Sequence, residues 1–373
     1  MADLMDVTGF ADAVRADADA WDHAGAVPAE VVRAMAAGGL LGADLPARYG
    51  GGGLGARELG EICAVLGGVC SALRGLVTVQ GMVAAALLRW GTDEQRAYWL
   101  PALAAGDRLA GFAATEEGAG SDLAALSTAV VRHGSRLGVT GRKRWVTFGR
   151  LADVFLVVGR LDGRPAALLV EADRPGITVE PVAEPFGMRA AHLAHIAFDD
   201  VRVPEAALVA PPGFGLSHVA ATAVDHGRHT VAWGCAGLAA ACLAYAAEHT
   251  AHRAQAGVRL ADYEAVRAVL GRARVATASA RLHCAHAADL RDRNSPAAAA
   301  ETVVAKYAAA GAAAAVSQDA FQLHGAAACG PGSAVGRLFR DARIMQIIEG
   351  SREAAEVQIG DLALRRGGPA ETS

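Results

Sequence analysis

Ala114-Thr115-Glu116-Glu117-Gly118-Ala119-Gly120-Ser121-Asp122 and Ile347-Ile348-Glu349-Gly350-Ser351 are the two stretches on which the reading of this chain turns. The first opens on Thr, is rich in Gly and closes on Ser and Asp. Such a loop suits a phosphate-bearing cofactor, which its backbone N–H groups would cradle. The second sets one carboxylate in an apolar stretch directly before a glycine. Apolar surroundings raise a carboxyl pKa towards the range that a general base needs. Taken singly, each run also reads as a surface turn or a fraying helix end. The two together carry more.

Outward from these runs the texture falls into three parts. From Phe10 to about Gly106, apolar residues recur at three- and four-residue intervals, which predicts amphipathic helices. Thr92 reads as an N-cap before the acidic first turn of Asp93 and Glu94. After about Leu109 the pattern shortens. Residues 152–158, 166–170, 177–179 and 196–198 read as strands parted by Gly, Pro and Asp, which indicates a compact β domain. From about Gly215 to Leu364 long Ala-rich helical segments return. The Ala-rich run 308–315 reads as a closely packed interior helix. Helices, strands, helices in that order predict an α+β architecture, with domains at 1–108, 109–211 and 212–373.

Composition narrows the function classes. A chain of 373 residues can bury a large core. A net charge of −4 leaves no basic field for nucleic acid and no polybasic patch for a membrane surface. Asp3 and Asp6 interrupt the N-terminus, which does not read as a secretory signal. The longest apolar stretches carry Gly, Arg or His every few residues, so membrane insertion is not expected. The six cysteines form no Cys-x-x-Cys pair, and the histidines do not join them at ligand spacing. Buried, unpaired thiols in a reducing cytoplasm are expected, and no metal site.

The chain resembles the acyl-CoA dehydrogenase family of flavoproteins. The resemblance runs from about Phe10 to about Leu364. It rests on Thr115-Glu116 through Gly120-Ser121-Asp122, then Gly141-Arg142-Lys143-Arg144-Trp145-Val146-Thr147, then Asp199-Asp200-Val201-Arg202-Val203-Pro204. Gln322-Leu323-His324-Gly325, Arg340-Asp341-Ala342 and Ile348-Glu349-Gly350-Ser351 follow in the family's order. It implies an N-terminal helical domain, a central β domain and a C-terminal four-helix bundle. FAD would lie between the β domain and the C-terminal helices. Ala114, Thr115, Gly120, Ser121, Trp145 and Thr147 would bind it, with Trp145 packed on the isoalloxazine; by itself Trp145 also reads as a core aromatic. Ser351 and Glu353 would join the cofactor set. Arg253 and Gln255, with Gln322 and Gly325, resemble the segments that reach the FAD of a neighbouring subunit, which implies a homo-oligomer, dimer or tetramer. Three positions depart from the family: Ala256 stands where an aromatic is usual, Glu264 where Gln is, and Ala326 where Gly is.

The same resemblance makes Glu349 the catalytic base, taking the proton next to the thioester carbonyl. Arg228 resembles the Arg that orders the base and the substrate mouth. Members that place the base in an earlier helix do so at a position matching Gly227, which cannot serve. A narrower likeness lies in Gly68–Arg74, Thr78–Met82 and Gly227–Cys235. These runs resemble enzymes that build methoxymalonyl-type extender units for polyketides. They imply a small hydroxylated three-carbon acyl group on acyl carrier protein, oxidised to hydroxymalonyl-carrier thioester. Arg74, Thr78, Gln80, Ser121, Arg228 and Gly350 would then contact substrate; Arg74 also reads as a surface helix charge. The alternatives are an ordinary acyl-CoA dehydrogenase on a CoA thioester, and a non-catalytic flavoprotein scaffold. An electron acceptor is implied by either catalytic reading.

Overall fold

The computed structural model describes residues 5–120 and 122–366. The chain divides into two compact units, Met1–Gly55 with Ser71–Gly227, and Ala56–Cys70 with Arg228–Ser373. Helices α1 (Val7–Val14), α2 (Ala18–Ala24) and α3 (Ala29–Ala37) lead into α4 (Ala56–Val69), α5 (Ser71–Trp90) and α6 (Asp93–Ala105). Strands β1 (Ala110–Ala113), β2 (Ala129–His133), β3 (Arg136–Val146), β4 (Val154–Leu161), β5 (Arg164–Glu171), β6 (Ile177–Pro181), β7 (Ala194–Pro204) and β8 (Leu208–Val209) follow. Then come α7 (Ala221–His252), the short β9 (Ala254–Gln255) and β10 (Val258–Arg259), α8 (Glu264–Asp292), α9 (Ala298–His324), α10 (Ala334–Met345) and α11 (Arg352–Arg366). The predicted α+β order holds.

In the first unit the sheet runs β6-β7-β3-β2-β4-β5-β8, with β1 parallel to β4 off this path. Strand β4 sets its core. Successive side chains of a strand point to opposite faces. Val154 and Leu156 therefore pack with Val83, Leu87, Leu100 and Leu103 of α5 and α6. Phe155 and Val157 pack on the other face with Leu168, Ile196, Phe198 and Val201. A strand covered on both faces reads as a continuous apolar run, as this one does. Thr92 caps α6 as expected, in a reciprocal capping box with Gln95.

The second unit is helical. Helix α4 approaches α7 closely because it is stippled with glycine. A Cβ on Gly60 would lie 2.3 Å from the Trp233 ring, and one on Gly67 would lie 2.5 Å from the Gly234 carbonyl. The alanine run of α9 buries Ala309, Ala310, Ala312 and Ala313, as an interior helix should.

Two expectations need correction. Ser71–Trp90 and Gly215–His252 are both long and apolar enough to meet the criteria for a membrane span. Their apolar windows are 89% and 61% buried within the protein, and the apolar face of Ser71–Trp90 is spent on core packing. None of the six cysteines is in a disulfide and five are buried, but Cys329 is exposed. Burial pushes the Cys242 thiol up to about 12, which makes it inert.

Candidate active site

The cofactor loop and the aromatic platform belong to the first unit, and strand β3 joins them. The Arg144 amide donates to the Thr115 carbonyl at 2.8 Å. The ladder between β3 and β7 slips between Lys143 and Val146. A bulge of this kind re-aims a side chain. Here it carries Trp145 into the left-handed region, at φ +58°, and leaves its indole 55% exposed. A bulky non-glycine residue at positive φ marks a strained position, such as functional sites collect. Trp145 is thus a presented face and not a core aromatic. His195 braces it: Nδ1 accepts the Trp145 amide at 3.1 Å, and the two rings meet edge to face at 5.3 Å. Burial and the neighbouring Arg144 and Arg142 hold the His195 pKa below its usual value, which favours the neutral ring that this bond requires. Thr147 is half-buried two residues on, and Thr115 is half-buried in the loop. Ser121 lies outside the described residues.

A buried ion pair fixes the loop from beneath. Glu116 accepts from the amides and hydroxyls of Ser127 and Thr128 and from Lys143 Nζ at 2.7 Å. Lys143 Nζ also donates to the carbonyls of Ala114 and Val158, at 3.1 and 2.5 Å. Burial opposes the Glu116 charge, yet these bonds, that to Lys143 first among them, hold its carboxyl at about 2. Burial draws Lys143 down to about 8 against the pull of Glu116. Because the folded Glu116 pKa lies below its usual 4.5, the pair's contribution is in place above that value and is lost as pH falls towards 2. Lys143→Met leaves a buried carboxylate without its cation, which costs about 3–5 kcal/mol. The variant should show a lower unfolding temperature, an acid-unfolding midpoint at higher pH, and reduced flavin content. Wild-type behaviour in all three would remove this role.

The turn that carries Glu349 lies in the second unit. Helix α10 ends at Met345, and the Arg352 amide closes the turn onto the Gln346 carbonyl at 3.0 Å. Glu349 and Gly350 are both left-handed, at φ +54° and +99°. Arg228 Nε donates to the Glu349 carbonyl at 2.9 Å, and its guanidinium lies 3.1 Å from where a Gly350 Cβ would stand. Lys306 Nζ donates to the Gly350 carbonyl at 2.7 Å. The apolar setting suggested by Ile347-Ile348 is therefore only partial, because Ile347 is 53% exposed. Two cations, not an apolar sleeve, define the turn. Ser351 Oγ accepts the Ala354 amide at 3.3 Å as the N-cap of α11. Glu353 is exposed in that helix's first turn, where the helix N-terminus favours negative charge.

Arg253, Gln255, Gln322 and Gly325 are all exposed on the second unit. Ala256 and Gly257, both left-handed at φ +51° and +78°, form the tight turn between β9 and β10. Arg253 lines a cleft of about 470 Å³ with Tyr245, Glu248, His249, His252 and His324. His249 and His324 stack at 4.2 Å.

Arg74, Thr78 and Gln80, which the resemblance assigns to the acyl side, lie on α5. Arg74 is 2% exposed, so it is not a surface charge. Its Nη1 donates to Thr78 Oγ1 at 3.2 Å, and that hydroxyl donates to the Arg74 carbonyl at 2.9 Å. Gly75 lies beside the segment that follows β3: a Cβ there would stand 3.8 Å from the Thr147 side chain, in ordinary contact. Gln80 is different. Its amide nitrogen donates to the carbonyls of Leu103 and Arg108, its oxygen accepts the Ala110 amide, and it is fully buried. Gln80 ties α5 to the start of β1 and is not free to bind substrate.

The residues of the first unit fit a flavin: a presented indole, two half-buried hydroxyls beside it, and a glycine loop whose Gly118 and Gly120 have no atom within 4 Å of a would-be Cβ. The first unit is thus suited to a flavin, and the second carries a glutamate whose backbone is held in a left-handed turn; each by itself fits the class of flavin-dependent dehydrogenases. Models of the acyl-CoA dehydrogenase N-terminal, middle and C-terminal domains match residues 5–107, 111–201 and 215–364. An acyl-CoA dehydrogenase of Bacillus subtilis (strain 168) is 31% identical over 349 residues, 90% of each chain. Among solved structures, FkbI for biosynthesis of the methoxymalonyl extender unit of the Fk520 polyketide is 38% identical. It has a TM-score of 0.90 over 97% of this chain and 99% of that one. A glutaryl-CoA dehydrogenase from Mycobacterium smegmatis, in complex with FADH2, is 27% identical at TM-score 0.91, over 98% and 94%. The chain belongs to the acyl-CoA dehydrogenase family, and its cofactor is FAD.

Sequence reasoning passed over three supports: His195 and the Glu116–Lys143 pair in the first unit, and Lys306 in the second. A signal existed for Lys306, a lone cation in the apolar run Val303-Val304-Ala305-Lys306-Tyr307-Ala308. Buried charge of that kind requires a partner.

Proposed function

We propose that this protein oxidises a small, hydroxylated three-carbon acyl group carried as a thioester on acyl carrier protein. The product in this reading is the hydroxymalonyl thioester used as a polyketide extender unit. The observation that carries it is Arg74, a buried cation with Thr78 one turn along, on the helix that passes beside Thr147. A hydrocarbon acyl tail gains nothing from such groups, whereas a hydroxyl or carboxylate does. The likeness to the extender-unit protein supports the same reading.

Bound FAD supplies a two-electron acceptor that takes hydride. The chain's residues supply the rest. Trp145 would cover a flavin face, and Thr115 and Thr147 would hold its polar edge. Glu349 receives the proton. For a hydrated aldehyde, the terminal carbon gives up hydride and one hydroxyl gives up its proton to Glu349, leaving a carboxylic acid. For a saturated thioester, Glu349 takes the α-proton while the β-carbon gives hydride, leaving an enoyl thioester. In this second reading the backbone N–H of Glu349 would be the donor that stabilises the developing enolate. Arg253 and Gln322 serve a second copy's FAD, so the active form is a homo-oligomer.

The test is anaerobic flavin bleaching by two panels: straight-chain acyl-CoA thioesters, and carrier protein loaded with glyceryl-type three-carbon groups. Bleaching by the carrier-bound group alone is expected. Rapid bleaching by butyryl-CoA, with no response to the carrier-bound group, supports instead an ordinary acyl-CoA dehydrogenase, the activity named for the Bacillus relative.

A further inference from the structure

We propose that Lys306 is a positioning residue for the base: together with Arg228 it clamps two successive carbonyl oxygens and holds Glu349 in its left-handed turn. This rests on the reading of Glu349 as the base. Left-handed backbone at a non-glycine residue costs on the order of 1–3 kcal/mol and persists only where the surroundings enforce it. Glu349 is such a residue, and its peptide oxygen is taken by Arg228 Nε at 2.9 Å. The next oxygen, that of Gly350, is taken by Lys306 Nζ at 2.7 Å. The two cations arrive from different helices, α7 and α9, so the turn is pinned from two directions. Charge-assisted bonds of this length are about twice as strong as neutral ones.

Lys306 is 3% exposed. The groups that bear on its charge are Glu349 from the turn and Cys235 and Arg228 from α7. Burial outweighs Glu349 and draws its pKa down to about 8. The clamp is therefore charge-assisted at neutral pH and weakens as pH rises through that value. Arginine at this position stays charged throughout.

The experiment uses the full-length holoenzyme as Lys306→Met, Lys306→Arg and Glu349→Gln. Amide hydrogen exchange over residues 346–352 reads the clamp without any substrate. The exchange should quicken about tenfold or more in Lys306→Met and return close to wild type in Lys306→Arg. Anaerobic bleaching by butyryl-CoA and by the carrier-bound three-carbon group, whichever reduces the wild type, reads its consequence. In Lys306→Met the limiting rate should fall about tenfold or more with half-saturation little changed, since small misplacements of a reacting group cost rate more than binding. The wild type should lose rate as pH rises through about 8, and Lys306→Arg should not. Unchanged exchange in Lys306→Met overturns the clamp. So does an alkaline limb that is the same in wild type and Lys306→Arg. Lys306→Met that loses flavin and unfolds, without rescue by arginine, shows a purely structural lysine and overturns it as well. Glu349→Gln separates the two ideas: if it bleaches normally, the base reading fails, while the exchange data still judge the clamp.

Discussion

Glu349→Gln is expected to keep its FAD, its fold and its affinity for thioester, and to lose flavin reduction by on the order of a hundredfold or more. Glutamine keeps the size and planarity of the side chain and removes its basicity, so the loss belongs to the proton transfer. The backbone bonds that define the turn, from Arg228 to the Glu349 carbonyl and from Lys306 to the Gly350 carbonyl, do not involve the carboxylate. The strained backbone at φ +54° should therefore survive the substitution, which makes this variant a cleaner probe than Glu349→Ala. The fall should appear in the limiting rate of bleaching, with the concentration for half-saturation little changed. Near-normal bleaching would mean that the proton goes elsewhere. Asp225, half-buried on α7, would then be the first carboxylate to replace.

The family and its α+β order were legible because its signals are local. A Gly-rich loop, short strands bounded by Gly, Pro and Asp, and a capping Thr92 each declare themselves within ten residues. Strand β3 was harder to see. Gly138 and Gly141, with four basic residues among its eleven, hide a strand that the neighbouring β7 and β2 nonetheless pair along most of its length. Burial was the property that spacing could not give. Gln80 looked like a polar pocket residue, yet three backbone groups consume it. Arg74 read equally as a surface charge, yet it is enclosed. Lys306 and the Glu116–Lys143 pair act across long sequence separations, so no local pattern announces them. The same holds for strain: the left-handed backbone of Trp145 and Glu349 is imposed by a bulge and by two cations, not by either residue's own preference.

Arg74→Ala should then separate recognition of the acyl group from everything else the protein does. Arg74 is buried on α5, where its Nη1 donates to Thr78 Oγ1, a turn away on the same helix. The Gly-rich loop, Trp145 and Lys143 lie on other elements, so FAD content and flavin absorbance should match the wild type. If Arg74 meets the oxygenated end of a three-carbon group, its loss removes a charge-assisted bond worth about 1.5–3 kcal/mol, which is a fall of roughly ten- to a hundredfold in rate at low substrate. Short acyl-CoA thioesters, which have no oxygen to offer it, should not lose rate and should gain it where the cavity now admits a methyl or ethyl group. Long chains should fail in the wild type, since setting hydrocarbon against a polar group that has lost its water costs about 1–3 kcal/mol for each group. The decisive quantity is the ratio of the two rates, not either rate alone. A ratio unmoved by Arg74→Ala would place Arg74 in the scaffold beside Gln80 and return the pocket to the chemistry of an ordinary acyl-CoA dehydrogenase. The family and its FAD would stand as before, because neither rests on the identity of the acyl group.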